Sequence, residues 1–130
     1  MLATMLTGVL TRDLKALRRE LEAYDDERGL WAMPKGVSNS AGTLAMHLAG
    51  NLRAFIGAQL GGTGYVRDRD AEFNRRDVPR SELLAQLGEA ILTLTGETQR
   101  ADLASCPESN RPDIVVADLG ELQHLLEAAR

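Results

Sequence analysis

The chain has 130 residues and a mass of 14.1 kDa, with 44% hydrophobic and 26% charged residues. These values are typical of a single globular domain, placed here at residues 1–130, and they exclude a fibrous or disordered chain. The net charge of −4 argues against nucleic-acid binding, because proteins that bind phosphate backbones are usually basic. A single cysteine, Cys106, excludes an internal disulfide and a cysteine-based zinc site, and the composition fits a reducing cytoplasm.

Helical periodicity begins at the amino terminus. Apolar residues at intervals of four and three predict a helix from about Leu2 to Tyr24. This start is apolar but lacks the basic n-region of a signal peptide. No segment approaches the ~20 apolar residues of a membrane span, so no membrane partner is expected.

A second helix is predicted from about Ala41 to Leu60. The preceding loop contains Pro34 and Gly36, which break helices, and ends at Ser40, a residue type that caps helices. Residues 61–64, Gly-Gly-Thr-Gly, end the helix. They lack the lysine and the preceding strand of a phosphate-binding loop, so a tight turn is the better interpretation.

Residues 65–79 are highly charged, and we predict a long ordered loop there. The alternating charges of residues 67–70, Arg-Asp-Arg-Asp, favour ion pairs within the loop or with a neighbouring subunit, and an anionic substrate is the alternative. Tyr65 and Phe73 are expected to anchor the loop to the helices. Tyr65 and Trp31 are also candidate lining residues of a ligand pocket.

A third helix is predicted from about Arg80 to Leu103 and a short fourth helix from about Asp118 to Arg130. Four amphipathic helices predict an all-α fold, an up-down-up-down four-helix bundle. The first helix would be about 35 Å long and the fourth only about 20 Å. The apolar surface left uncovered predicts a homodimer.

Two segments resemble the DinB-like (DinB/YfiT) superfamily. Residues 29–53 read GLWAMPKGVSNSAGTLAMHLAGNLR, and residues 61–73 read GGTGYVRDRDAEF. The resemblance spans about residues 5–105 and implies a four-helix bundle that is commonly dimeric. Many members of this superfamily bind zinc or nickel through three histidines. Some are transferases or isomerases that use a low-molecular-weight thiol.

The resemblance makes His47 the candidate metal ligand of the second helix. Asn51 lies one turn further on and is expected to share its edge, where a hydrogen-bonding neighbour could fix the histidine tautomer. The family pattern places two more histidines on the fourth helix, but here Ala128 stands at the first position and the sequence stops before the second. His124 and Glu127 are weaker substitutes, because His124 projects away from the apolar stripe of that helix.

Three functional hypotheses follow. The first is a dimeric binding or structural protein of unknown ligand with an impaired divalent-metal site. The second is a metal-dependent thiol-transferase or isomerase, in which His47 binds zinc or nickel and substitute ligands complete the site. In the third, the chain is a truncated version of a longer functional protein.

Overall fold

A computed structural model describes residues 2–95 of the chain, and every element within that range is helical. The four α-helices are α1 (Leu2–Glu22), α2 (Ala41–Leu52), α3 (Arg69–Asn74) and α4 (Arg80–Thr95). A short 3-10 helix (Glu27–Trp31) follows α1, and a π-helical segment (Arg53–Leu60) continues α2. The predicted all-α class is thereby confirmed for this part of the chain. The predicted fourth bundle helix, together with Cys106, His124 and Glu127, lies outside the described residues.

The core forms where α4 packs against both α1 and α2. The leucine spacing predicts the faces that α1 and α4 bury. For α2 the predicted leucine face was wrong: Leu44 and Leu48 are exposed, and the helix buries the face that carries Ala45, Met46 and Ala49, where small side chains let α4 approach closely. The buried residues are Leu14, Leu21, Leu30, Ala45, Met46, Ala49, Val78, Leu83, Leu87, Ala90 and Leu94. No helix in residues 2–95 is both long enough and apolar enough to cross a membrane.

The second helix begins and ends where the sequence predicts. Ser40 is its N-cap and accepts a hydrogen bond from the Thr43 amide at 3.2 Å. From Arg53 onward the helix widens to the π form, and the Gly61 amide donates to the Ile56 carbonyl, five residues back, at 2.9 Å. Short π segments are rare and often lie beside functional sites.

The end of α1 is tied to the start of α4. Arg80 donates to the backbone carbonyls of Glu22 and Tyr24, and its own amide donates to the Glu27 carboxylate. The last carbonyls of a helix have no partner within the helix, so a cation there satisfies them and complements the helix dipole. These bonds fix the turn that brings α1 and α4 together.

Trp31 closes the amino-terminal end of α2. A Cβ atom at Gly42 would come within 2.7 Å of the indole, so glycine is what allows the ring to lie against the helix backbone. The half-buried indole therefore lies against the first turn of α2. Its Nε1 is buried without a hydrogen-bond partner among the described residues.

The prediction of a continuous loop over residues 65–79 was wrong for its central part, which is helix α3. Asp68 caps this helix by accepting a hydrogen bond from the Ala71 amide at 2.9 Å. Asp70 and Glu72 lie in its first turn, where negative charge is favourable. The alternating charges that suggested a loop thus include a helix N-cap and an acidic first turn. Helix α3 packs on α2 next to His47.

Candidate functional site

His47, Arg67 and Glu72 form the most heavily buried charged cluster of the described residues. His47 comes from α2, Glu72 from α3, and Arg67 from the segment just before α3. The side chains are 28%, 17% and 7% exposed respectively. A carboxylate this deeply buried requires charged or hydrogen-bonding partners, and both of the others provide them.

Arg67 binds both oxygens of Glu72. Its Nε donates to Oε1 at 2.7 Å, and one terminal nitrogen donates to Oε2 at 2.9 Å. This two-point arrangement is the strongest geometry for an arginine–carboxylate pair. The pair neutralises the buried carboxylate, and it holds the α3 segment against α2.

Glu72 also contacts His47, at 3.1 Å between Oε2 and Nδ1. A terminal nitrogen of Arg67 lies 3.3 Å from the same Nδ1. An Nδ1 without a proton would place its lone pair against the carboxylate lone pairs, which is repulsive. The consistent tautomer therefore has Nδ1–H donating to Glu72, and it leaves Nε2 as the acceptor of the neutral ring.

The imidazole is held on a second side by an aromatic ring. The His47 and Phe73 ring centroids are 4.9 Å apart with the planes tilted by 48°. Phe73 follows Glu72 directly in α3, so one short helix supplies both contacts. Nε2 has no hydrogen-bond partner within residues 2–95, which makes it the atom of the cluster available to a ligand.

Gly50 makes the close approach of Glu72 possible. It lies three residues after His47 in α2, and the Glu72 carboxylate occupies the space that a Cβ atom would fill there. Any larger residue would push Oε1 away from Arg67. The glycine is thus part of the site, although it contributes no functional group.

The other predicted site residues lie in different places. Asn51 lines an apolar groove between α1 and α2, and the hydrogen-bond partner of His47 is Glu72 instead. Tyr65 stacks against Arg53, and the guanidinium carbon lies 4.1 Å from the centroid of the tyrosine ring. Trp31 packs against Gly42 at the far end of α2. The structure therefore groups none of the three with His47.

Glu72 has a lowered pKa. Burial raises the pKa of its carboxyl, but the hydrogen bonds from Arg67 and His47 and the positive charge of Arg67 lower it further than burial raises it. Arg67 has a raised pKa because of its bond to Glu72. Both groups are charged at neutral pH.

We expect this pair to make stability depend on acid pH. Because the folded-state pKa of Glu72 lies below its ordinary value of 4.5, the stabilisation is complete above that value and is lost as pH falls through the folded-state pKa. Urea unfolding at a series of pH values measures this. The free energy of unfolding should decline more steeply below pH 4.5 in the wild type than in Glu72→Gln, and parallel curves would contradict the assignment.

Within the described residues, no group of three or more histidine, cysteine, aspartate and glutamate side chains has the arrangement of a metal site. Comparisons with protein-family models, with curated proteins and with solved structures found no match to this chain.

Proposed function

We propose that this protein is a DinB-like four-helix-bundle binding protein, dimeric, whose divalent-metal site is impaired. The single observation that carries the impaired metal site is the position of Arg67. Its guanidinium occupies both oxygens of Glu72 and lies 3.3 Å from the His47 ring. A divalent cation at the free Nε2 of His47 would bind a ring whose orienting carboxylate is already neutralised by arginine.

Electrostatics supports this interpretation. A metal site gains affinity from the negative charge and the number of its ligands. Here the charge of the guanidinium cancels that of the buried carboxylate, and both carboxylate oxygens are already hydrogen-bonded. The cluster therefore offers a metal only the Nε2 of His47. A small ligand with a hydrogen-bond donor suits Nε2 better than a divalent cation does.

The alternative is a metal-dependent thiol-transferase or isomerase, and one feature of the cluster favours it. Histidines that bind metals usually donate their other ring N–H to a carboxylate or carbonyl, which fixes the ring and raises its basicity. The bond between Nδ1 and Glu72 has this form. In that case zinc or nickel would bind Nε2, with further ligands from elsewhere, and would lower the pKa of a bound thiol or water.

Metal analysis separates the two candidates. Purified protein should be dialysed against excess zinc or nickel, then against metal-free buffer, and analysed by elemental mass spectrometry. We expect far less than one metal per chain, and the same amount in His47→Ala. A near-stoichiometric metal content that disappears in His47→Ala would contradict the impaired site and establish the metalloprotein alternative.

Exposed apolar side chains support the dimer. The α1–α2 groove has a volume of about 430 Å³ and is lined largely by leucines. Leu44 and Leu48 of α2 are 44% and 42% exposed, and the first half of α1 exposes Leu2, Met5, Leu6 and Val9. Apolar surface of this kind is usually covered by a partner. A second copy presenting the same face would cover it.

The dimer prediction is tested by sedimentation equilibrium. We expect twice the chain mass of 14.1 kDa for the wild type and a shift to the single-chain mass for Leu48→Glu. Leu92→Glu is the matched control, because Leu92 is similarly exposed, at 39%, but lies on α4 in a different groove. A monomeric wild type, or equal disruption by both variants, would contradict a dimer through this face.

A further inference from the structure

A second cleft lies beside Glu72, and it is lined by a half-buried arginine, Arg53, that pairs with no carboxylate of the described residues. The cleft has a volume of about 210 Å³. Its walls come from α2 and the π segment, the segment before α3, α3 itself and α4. The residues that matter for its chemistry are Arg53, Tyr65, Val66, Asp68, Arg75 and Gln86.

Arg53 is the first residue of the π segment, and its guanidinium is stacked on Tyr65 at 4.1 Å. Stacking covers one face of the guanidinium and leaves its N–H donors, which lie in the plane, free to bind. No carboxylate of the described residues forms an ion pair with it. A half-buried cation whose donors are used by no protein group of the described residues is available to bind an anion.

The other charged groups around the cleft have partners, although Asp68 uses only one of its oxygens. Arg75 pairs with Glu82 at 2.8 Å, and Gln86 donates to the same Glu82. Glu72 is held by Arg67. Asp68 has one oxygen bound to the Ala71 amide. Arg53 is thus the cation of the cleft with free donors, and the exposed apolar side chain on the cleft wall is Val66.

The backbone presents Arg53 to the cleft in a fixed orientation. Where α2 gives way to the π segment, each turn contains an extra residue, which changes the direction of the side chains that follow. The Tyr65 ring then stacks against one face of the guanidinium. A planar arginine fixed in this way is suited to a planar oxyanion such as a carboxylate, which it can bind through two parallel hydrogen bonds.

We propose that this cleft binds a small organic carboxylate, with Arg53 as the group that anchors its carboxylate and Val66 as part of the surface that contacts its apolar portion. The site uses neither the Nε2 of His47 nor a metal. It therefore stands or fails independently of the function proposed above.

Side-chain NMR tests the proposal with benzoate as the probe and benzamide, which has the same shape without the charge, as its control. Benzoate should shift the Nε–H signal of Arg53, and benzamide should not. In Arg53→Gln the dissociation constant for benzoate should rise about tenfold. Arg69→Gln is the matched control, because Arg69 also stacks on an aromatic ring, that of Phe73 at 5.0 Å, but does not line the cleft.

Each other outcome would overturn the proposal. Wild-type protein that does not bind benzoate, or equal affinity in Arg53→Gln and the wild type, removes Arg53 as the anchor. Binding of inorganic phosphate but not benzoate would show a different anion class. Arg53→Lys guards against a folding artefact: it keeps the charge but lacks the planar fork, so its benzoate affinity should fall between those of the wild type and Arg53→Gln.

Discussion

Replacing Gly50 with alanine is expected to destabilise the protein by about 3 kcal/mol, in the range seen when a buried ion pair is broken. The new Cβ would occupy the position of the Glu72 carboxylate, which Arg67 and His47 hold in place. Alanine normally favours a helix over glycine by about 1 kcal/mol, so the expected loss reverses the usual sign. Urea unfolding measures the change.

Gly88→Ala is the matched control. Gly88 lies inside α4, and nothing comes within 4 Å of a Cβ atom built there. This variant should therefore gain about 0.5–1 kcal/mol from helix propensity alone. If both variants are stabilised, Glu72 is not packed against Gly50 as described.

Replacing Glu72 with glutamine is expected to cost about 3 kcal/mol as well, but for a different reason. The shape of the side chain is kept, whereas the negative charge opposite Arg67 is removed. Arg67 is only 17% exposed, so its guanidinium would remain largely buried without a counter-charge. The new amide nitrogen would also place a donor opposite the donors of Arg67 or His47.

Glu82→Gln provides the comparison for this prediction. Glu82 also binds an arginine through both oxygens, Arg75 at 2.8 and 3.2 Å, but its side chain is 41% exposed. Solvent-exposed pairs of this kind contribute less than about 1 kcal/mol. Equal losses in Glu72→Gln and Glu82→Gln would show that burial does not strengthen the Arg67–Glu72 pair.

Much of the helical framework is predictable from the sequence because it depends on local signals. The leucine spacing of α1 and the Ser40 cap of α2 place those helices close to their observed positions. Helix α3 was missed because six residues are too few to show a period. The sequence does contain a start signal for α3, the capping residue Asp68 followed by acidic residues. The same residues are also typical of a charged surface loop.

The candidate site is less predictable because it depends on a contact between distant parts of the chain. His47 can be singled out from its position on α2. Nothing in the spacing of residues indicates that Glu72, which is 25 positions away, is buried against it. Asn51 was the expected partner because it lies one helical turn from His47. Gly50 is the sequence feature that could have indicated this contact, since a glycine inside a helix often marks the close approach of another group.

The most direct test of this account is the protonation state of the two His47 ring nitrogens, read by long-range nitrogen–proton NMR at alkaline pH. The account predicts a neutral ring with the proton on Nδ1, donated to Glu72, and an unprotonated Nε2. Glu72→Gln should lose the preference for that tautomer. An unprotonated Nδ1 in the wild type would contradict the account, because Arg67 would then be the donor to His47 and Glu72 would not orient the ring.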